Sequence, residues 1–428
     1  MDNDLIVQQF HLDPNHHHLN HGSFGATPTP VLQTMIQTEA KMEQHPDRWF
    51  RSAGGGKKGR EEARAAAADA FGGEPGHYAF VTNVTTGINA AVQSLTTALR
   101  KDPTLCLVSF APLAYNACRA AFARVAERMG VEHVIVDVPL FDPPASAFVD
   151  GLAAVLETHR VAMVLVDHIV STTSQTLPLQ DILHGFSTLQ GLQSEAPGGE
   201  GDDDGRGFLV VVDGAHAPGY LDLDVGKMGE WGADVYVGNL HKWVFCPKGT
   251  AFVYGASQRG REMLEPTVVS HLSGAHAGFP SEFDDQGTRS DATWLSLPAA
   301  LRWIQDQLGG LEAMRAVQKE KRARALEILC QAWDVQPKIV SEVGAMALLP
   351  LPHLPECVRE GGAWALSSYL HREHKITSFV VELESQLYIR ISAQVYTSDN
   401  DFDVLAAAIL SLPSSASNYP VLPPYTDW

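Results

Sequence analysis

The stretch FLVVVDGAH, residues 208–216, decides how this chain is read. Five apolar residues run without interruption and end in a polar cluster. A strand buried on both faces reads this way, and its end is where a ligand-facing group belongs. Further along, DVYVGNLHKW at 234–243 repeats the pattern, with Lys242 among apolar residues at the strand end. TAFVYG at 250–255 follows as another strand.

Working outward, strands alternate with helices. Toward the N-terminus, HYAFV leads into a polar turn and a helix whose first turn begins near Thr86. LCLVSF at 105–110, HVIVDV at 133–138 and VAMVLVDHI at 161–169 read as strands. Between them lie a helix through Met129 and another near 146–158. Residues 31–45 and 57–71 carry helical spacing or helix formers. This order predicts an α/β fold, with a mainly parallel sheet covered on both faces.

After Pro298 the character changes. A long helical stretch runs around Gly309–Gly310, short strands are expected near 345–350, 376–383 and 387–392, and a helix near 400–412. Two domains are therefore expected: a large one over 1–299 that includes an N-terminal arm, and a smaller α+β domain over 300–428. Residues 1–30 read as loop. Residues 193–207, acidic and glycine-rich, read as a surface insertion.

Bulk composition narrows the function. The chain has 428 residues and a net charge of −19, which argues against nucleic acid and anionic membrane surfaces as partners. Five cysteines with no CxxC pair argue against a disulfide framework or a zinc site, and suggest reduced thiols. The run His16, His17, His18 points three ways on any regular element and has no carboxylate at ligand spacing, so no metal is expected. The opening MDNDLIVQQFHLD has no basic start with an apolar run, and a cytoplasmic location is expected.

Three polar clusters fall where strands end. VTNVTTGIN at 81–89 offers Thr85 and Thr86 at a helix N-terminus, a natural anion site, although both would also serve as ordinary caps. Asp213 is carried into the interior, where a carboxylate needs a partner; a pyridinium nitrogen is one, and capping the next turn is another use. His216 follows three residues on. Burial suits Lys242 to form a Schiff base and then act as a base, though a lone lysine there also reads as a snorkelling surface residue.

Taken together, VTNVTTG, DGAH and NLHKW, with 29 positions from Asp213 to Lys242, resemble the class V aminotransferase family of fold-type I pyridoxal 5′-phosphate (PLP) enzymes. The resemblance runs from LNHGSFG near residue 19 to RISAQVY at 390–396. It implies PLP as cofactor and Lys242 as the residue that binds it covalently. It implies Asp213 beside the ring nitrogen, His216 near the ring hydroxyl, and Thr85, Thr86, Asn239 and His241 on the phosphate side. Where this chain has Asn239, the family often has Ser or Thr. Tyr115 falls where a ring stacks on the cofactor, and Ser171 where a polar residue sits near the ring substituents. Arg390 matches the residue that binds the substrate carboxylate, with Asn20 and His21 beside the substrate. Thr288 matches a loop that reaches the neighbouring subunit's phosphate, which implies a homodimer with composite sites.

The motifs HPDRWFR, GNLHKWVFCPKG and GTRSDATW are most similar to two groups within the family. One holds isopenicillin N epimerase-like proteins, the other L-cysteine desulfhydrases and cysteine-sulfoxide lyases. The expected reaction is carbon–sulfur β-elimination on a small amino acid, with Lys242 taking the α-proton and Tyr115 protonating the leaving sulfur. Epimerisation or ring formation is the alternative.

Overall fold

The computed structural model describes residues 3–195, 207–273, 277–339 and 343–412. They form two units. One holds residues 31–171 and 176–302, and the other the described residues of 1–30, 172–175 and 303–428.

The larger unit is built on a seven-stranded sheet: β1 Tyr78–Val81, β2 Leu105–Ala111, β3 Glu132–Asp137, β4 Arg160–Asp167, β5 Leu209–Asp213, β6 Val235–Asn239 and β7 Ala251–Gly255. The spatial order is β1-β7-β6-β5-β4-β2-β3. Only β7 runs antiparallel to its neighbours, so the expected α/β, mainly parallel sheet is what forms. Every position of β5, β6 and β7 is buried, which is why these strands read as unbroken apolar runs.

Each face has its own helical layer. Helices Val84–Ser94 and Asn116–Met129 pack through Ile88, Ala91, Phe122 and Val125 onto Leu165, Val211, Val237 and Val253. The second helix stops at Gly130, whose φ of 70° lies in the left-handed region that side chains other than glycine resist. Phe110 alternates to the opposite face. There it meets Phe148 edge-on at 4.9 Å and stacks on Phe186 at 5.8 Å, from helices Ala145–Leu156 and Leu179–Glu195.

The smaller unit has a three-stranded antiparallel sheet, β8 Met346–Pro350, β9 Phe379–Leu383 and β10 Gln386–Ser392, in the order β9-β10-β8. Helices Leu311–Trp333, Glu356–His374 and Asp399–Leu410 belong to it. Its core joins Leu329, Leu366, Ile389, Ile391 and Leu405 to Leu19 from the N-terminal segment. His17–His18 pairs in parallel with Ile376–Thr377, and the Ser392 N–H donates to the Leu19 carbonyl at 2.8 Å. The segment expected as an arm of the large domain therefore groups with the C-terminal residues.

Several local expectations shift. The strand at 208–216 ends at Asp213, and the one at 234–243 ends at Asn239, so Lys242 lies in a turn. The helix expected near Thr86 starts at Val84. Helices Leu179–Glu195 and Glu356–His374 had no expectation. The second is interrupted at Gly362, with φ 73°, so no continuous apolar stripe marks it. Of the acidic insertion, residues 196–206 lie outside the described residues.

Candidate active site

The C-terminal ends of β4, β5 and β6 gather the polar side chains, the edge where open α/β sheets place ligands. Asp213 closes β5 and is 3% exposed. Its Oδ1 accepts the Ala215 N–H at 2.9 Å and its Oδ2 accepts the Cys118 thiol at 3.1 Å. Burial raises its affinity for a proton, while the Cys118 and Ala215 hydrogen bonds and the Lys242 charge lower it.

Lys242 and His216 meet across the turns that follow β6 and β5. Lys242 Nζ lies 3.0 Å from His216 Nε2, and the same nitrogen lies 3.3 Å from Ser171 Oγ. The Trp243 indole N–H donates to His216 Nδ1 at 3.4 Å, which orients the ring from behind. Sequence-predicted Lys242, Asp213, His216 and Ser171 thus come together at one sheet edge.

The helix Val84–Ser94 presents its N-terminus beside β6. Asn83 caps it by accepting the Thr86 N–H at 2.9 Å, and Asn239 Oδ1 accepts the Val84 N–H at 3.1 Å. Thr86 Oγ1 bonds Asn83 and Thr82. Asn239 therefore ties β6 to the start of the helix. The remaining first-turn N–H, that of Thr85, and the Thr85 hydroxyl have no protein partner among the described residues. His241 is anchored by Nδ1 to the Thr250 carbonyl at 3.0 Å, and burial pushes its pKa down to about 4.

The other expected residues each have their own surroundings. Tyr115 immediately precedes the helix Asn116–Met129, makes no side-chain capping bond to it and is 47% exposed. Thr288 lines a separate cleft of about 480 Å³ with Trp49, Arg60 and Arg289. Arg390, Asn20 and His21 belong to the smaller unit. There the buried Arg390 guanidinium donates through Nη2 to Asn20 Oδ1 and Ser23 Oγ, both at 2.9 Å, and lies 4.5 Å over the Phe379 ring. His21 Nδ1 lies 2.9 Å from the Tyr396 hydroxyl.

Three buried groups at this edge were not anticipated. Asp167 ends β4 directly opposite Asp213. Cys118 reaches Asp213 from a helix 95 residues earlier. His168 Nδ1 bonds the Tyr236 hydroxyl at 2.8 Å. The "VDH" of VAMVLVDHI was the available signal, since two polar residues end an apolar strand there. Among the described residues, no cluster of three or more His, Cys, Asp or Glu is placed to hold a metal ion. Nor, among them, is any helix long and apolar enough to cross a membrane.

The family model for class V aminotransferases matches residues 203–340, the span that carries Asp213, His216, Asn239, His241 and Lys242. Similarity to relatives covers far more. Isopenicillin N epimerase of Streptomyces clavuligerus is 29% identical over 94% of this chain and 96% of its own. L-Cysteine desulfhydrase of Arabidopsis thaliana is 26% identical over 92% of this chain and 87% of its own.

Over residues 203–340 the chain is similar to the class V aminotransferases.

Among solved structures, a C-DES mutant with glycine covalently linked to its PLP cofactor aligns with a TM-score of 0.74 at 20% identity, covering 94% of this chain and 97% of that one. The cystine C-S lyase C-DES in complex with cysteine persulfide aligns at 0.70. At that identity these show a shared fold. The cofactor of this enzyme is PLP. The residues present fit it: a primary amine on Lys242, a buried carboxylate on Asp213, and an open N–H and hydroxyl on Thr85 at a helix N-terminus suited to a phosphate.

Proposed function

We propose that the enzyme is a carbon–sulfur β-lyase acting on cysteine or an S-substituted cysteine, including a sulfoxide. It releases pyruvate, ammonia and a sulfur leaving group. The observation that carries this reading is the Lys242 amine at the sheet's end, a proton acceptor set against His216 Nε2, which Ser171 also contacts.

When bound, PLP supplies an electron sink for the negative charge left at the substrate Cα. Thr85, through its open N–H and hydroxyl, and Thr86 beside it would hold the phosphate, with Asn239 and the low-pKa, neutral His241 fixing the surrounding backbone. Asp213 keeps a negative charge for the ring nitrogen. Lys242 takes the α-proton; with Nδ1 accepting the Trp243 N–H, His216 presents its Nε2–H to the neutral amine and holds it in place. Tyr115 gives a proton to the departing sulfur. Arg390, with its fork already held by Asn20 and Ser23, suits an α-carboxylate. Water then converts the released enamine to pyruvate and ammonia.

Retention of sulfur on the protein is disfavoured by the cysteines. Cys330 and Cys357 lie within helices Leu311–Trp333 and Glu356–His374, and Cys106, Cys118 and Cys246 are buried. The similarity to isopenicillin N epimerase supports a second reading, epimerisation or cyclisation at Cα, which uses the same first proton transfer.

The deciding test gives PLP-loaded protein cysteine, S-substituted cysteines and their sulfoxides. Lys242-dependent pyruvate is expected, and Lys242→Ala removes it. Exchange of the α-proton with deuterium and no pyruvate would shift the assignment to the epimerase or cyclase. Absence of both would overturn each reading.

We also propose a homodimer in which Thr288 serves the partner's phosphate. Sedimentation of the PLP-loaded protein at twice the monomer mass supports this, and a monomer that turns over rejects it.

A further inference from the structure

The chemistry above uses Asp213 and leaves its neighbour without a role. β4 and β5 run parallel with Asp167 opposite Asp213. Paired positions on adjacent strands project to the same face, so both carboxyls share one end of the sheet. Each residue is only 3% exposed. Two buried carboxylates this close do not both ionise without a large cost, and such a pair retains a proton.

The hydrogen bonds indicate where that proton sits. Both oxygens of Asp213 have donors, Ala215 N–H on one and the Cys118 thiol on the other. Asp167 accepts the Tyr115 backbone N–H, and its Oδ1 is buried with no partner among the described residues. An anionic oxygen left without donors in the interior costs far more than the oxygen of a neutral acid.

We propose that Asp167 is the protonated member of this pair and a positioning residue for Asp213. It holds the pair at one negative charge and places that charge on the residue assigned to the cofactor's ring nitrogen. The inference rests on that reading of Asp213.

The groups facing the pair are Cys118 and Arg119 from helix Asn116–Met129, Tyr236 from β6 and Lys242 beyond it. Burial first and then the Asp213 charge raise the Asp167 pKa well above the usual carboxylate range; the Tyr115 N–H and Arg119 oppose this. Burial also raises the Asp213 pKa, but there the Cys118 thiol, the Ala215 N–H and Lys242 oppose it. The balance leaves the proton on Asp167.

The test is infrared difference spectroscopy of wild type against Asp167→Asn near neutral pH, on PLP-loaded and PLP-stripped protein. Loss of an acid carbonyl stretch, with carboxylate bands unchanged, is expected. Loss of carboxylate bands instead overturns the inference. If Asp167→Asn does not fold, Asp213→Asn serves: removing the neighbouring anion moves the acid-carbonyl titration to lower pH, and an unmoved titration rejects the pairing. PLP affinity is the second readout. Asp167→Asn keeps it within about threefold, whereas Asp213→Asn weakens it by about tenfold or more. Equal losses in the two variants would reject the division of roles. Failure of wild type to bind PLP would overturn the reading of Asp213 itself, and shows as a missing visible cofactor band rather than as an ionised Asp167.

Discussion

Cys118 donates its thiol hydrogen to Asp213 Oδ2 across 3.1 Å, so a helix outside the sheet holds the carboxylate that the sheet delivers. Burial, followed by the Asp213 charge, pushes the Cys118 thiol far above its ordinary pKa, so it stays a donor and not a nucleophile. Cys118→Ala removes that donor and should cost roughly 1–3 kcal/mol in a urea titration, with Cys118→Ser recovering part of it. In native protein, iodoacetamide should label the half-buried Cys330 and Cys357 before Cys118 or Cys246. Early labelling of Cys118, read by peptide mass spectrometry, would contradict this.

His216 touches Lys242 Nζ at 3.0 Å and Ser171 Oγ at 3.3 Å, so its loss should slow proton transfer more than binding. For His216→Ala we expect kcat to fall by about 10²-fold or more, with KM changed far less. The rate of α-proton exchange into deuterated solvent should fall in parallel. An unchanged exchange rate would remove His216 from the proton path.

Behind the site, Asp234 is buried at the start of β6's approach. It accepts Arg259 Nε and Nη2, each at 2.9 Å, the Val210 N–H at 2.8 Å and the Ser257 hydroxyl at 2.6 Å. Asp234→Ala strands a buried guanidinium and should destabilise the fold by about 3–5 kcal/mol. A urea midpoint close to that of wild type would show the pair to be dispensable.

Stability should also fall in mild acid. Burial pushes the pKa of His168 down to about 4, and that of His241 to about 4, from the ordinary value near 6.5. Both stay neutral in the native protein while the unfolded chain takes up protons below about 6.5. Their contribution is complete above that pH and is lost as pH falls toward about 4, by roughly 3 kcal/mol each at most. His168→Gln should flatten the decline between those limits in calorimetry, and an unchanged slope would assign the acid sensitivity to other groups.

The large sheet was legible because β5, β6 and β7 are buried throughout and carry unbroken apolar runs. Lys242 and Asp213 were legible because polar residues interrupt such runs only at their ends. Strand ends were less so: the apolar Leu240 and Trp243 extend the pattern of β6 into a turn, and burial alone does not separate a strand from a buried turn. Asp167 ends its strand as Asp213 does, but its meaning lies in the register of β4 against β5, which no local pattern carries. Cys118 reads as one more small helix residue until the fold brings it to Asp213. The helix Glu356–His374 hid behind Gly361 and Gly362.

The seating of Leu19 has a consequence for how the molecule is made. Its carbonyl takes the Ser392 N–H, and Asn20 takes the Arg390 guanidinium, 370 positions along the chain. Synthesis proceeds from the N-terminus, so residues 17–23 emerge before the larger unit and wait until β10 has left the ribosome before they can take these places. The larger unit, closed by residue 302, has all its strands in hand long before that. Residues made before the larger unit settle after it.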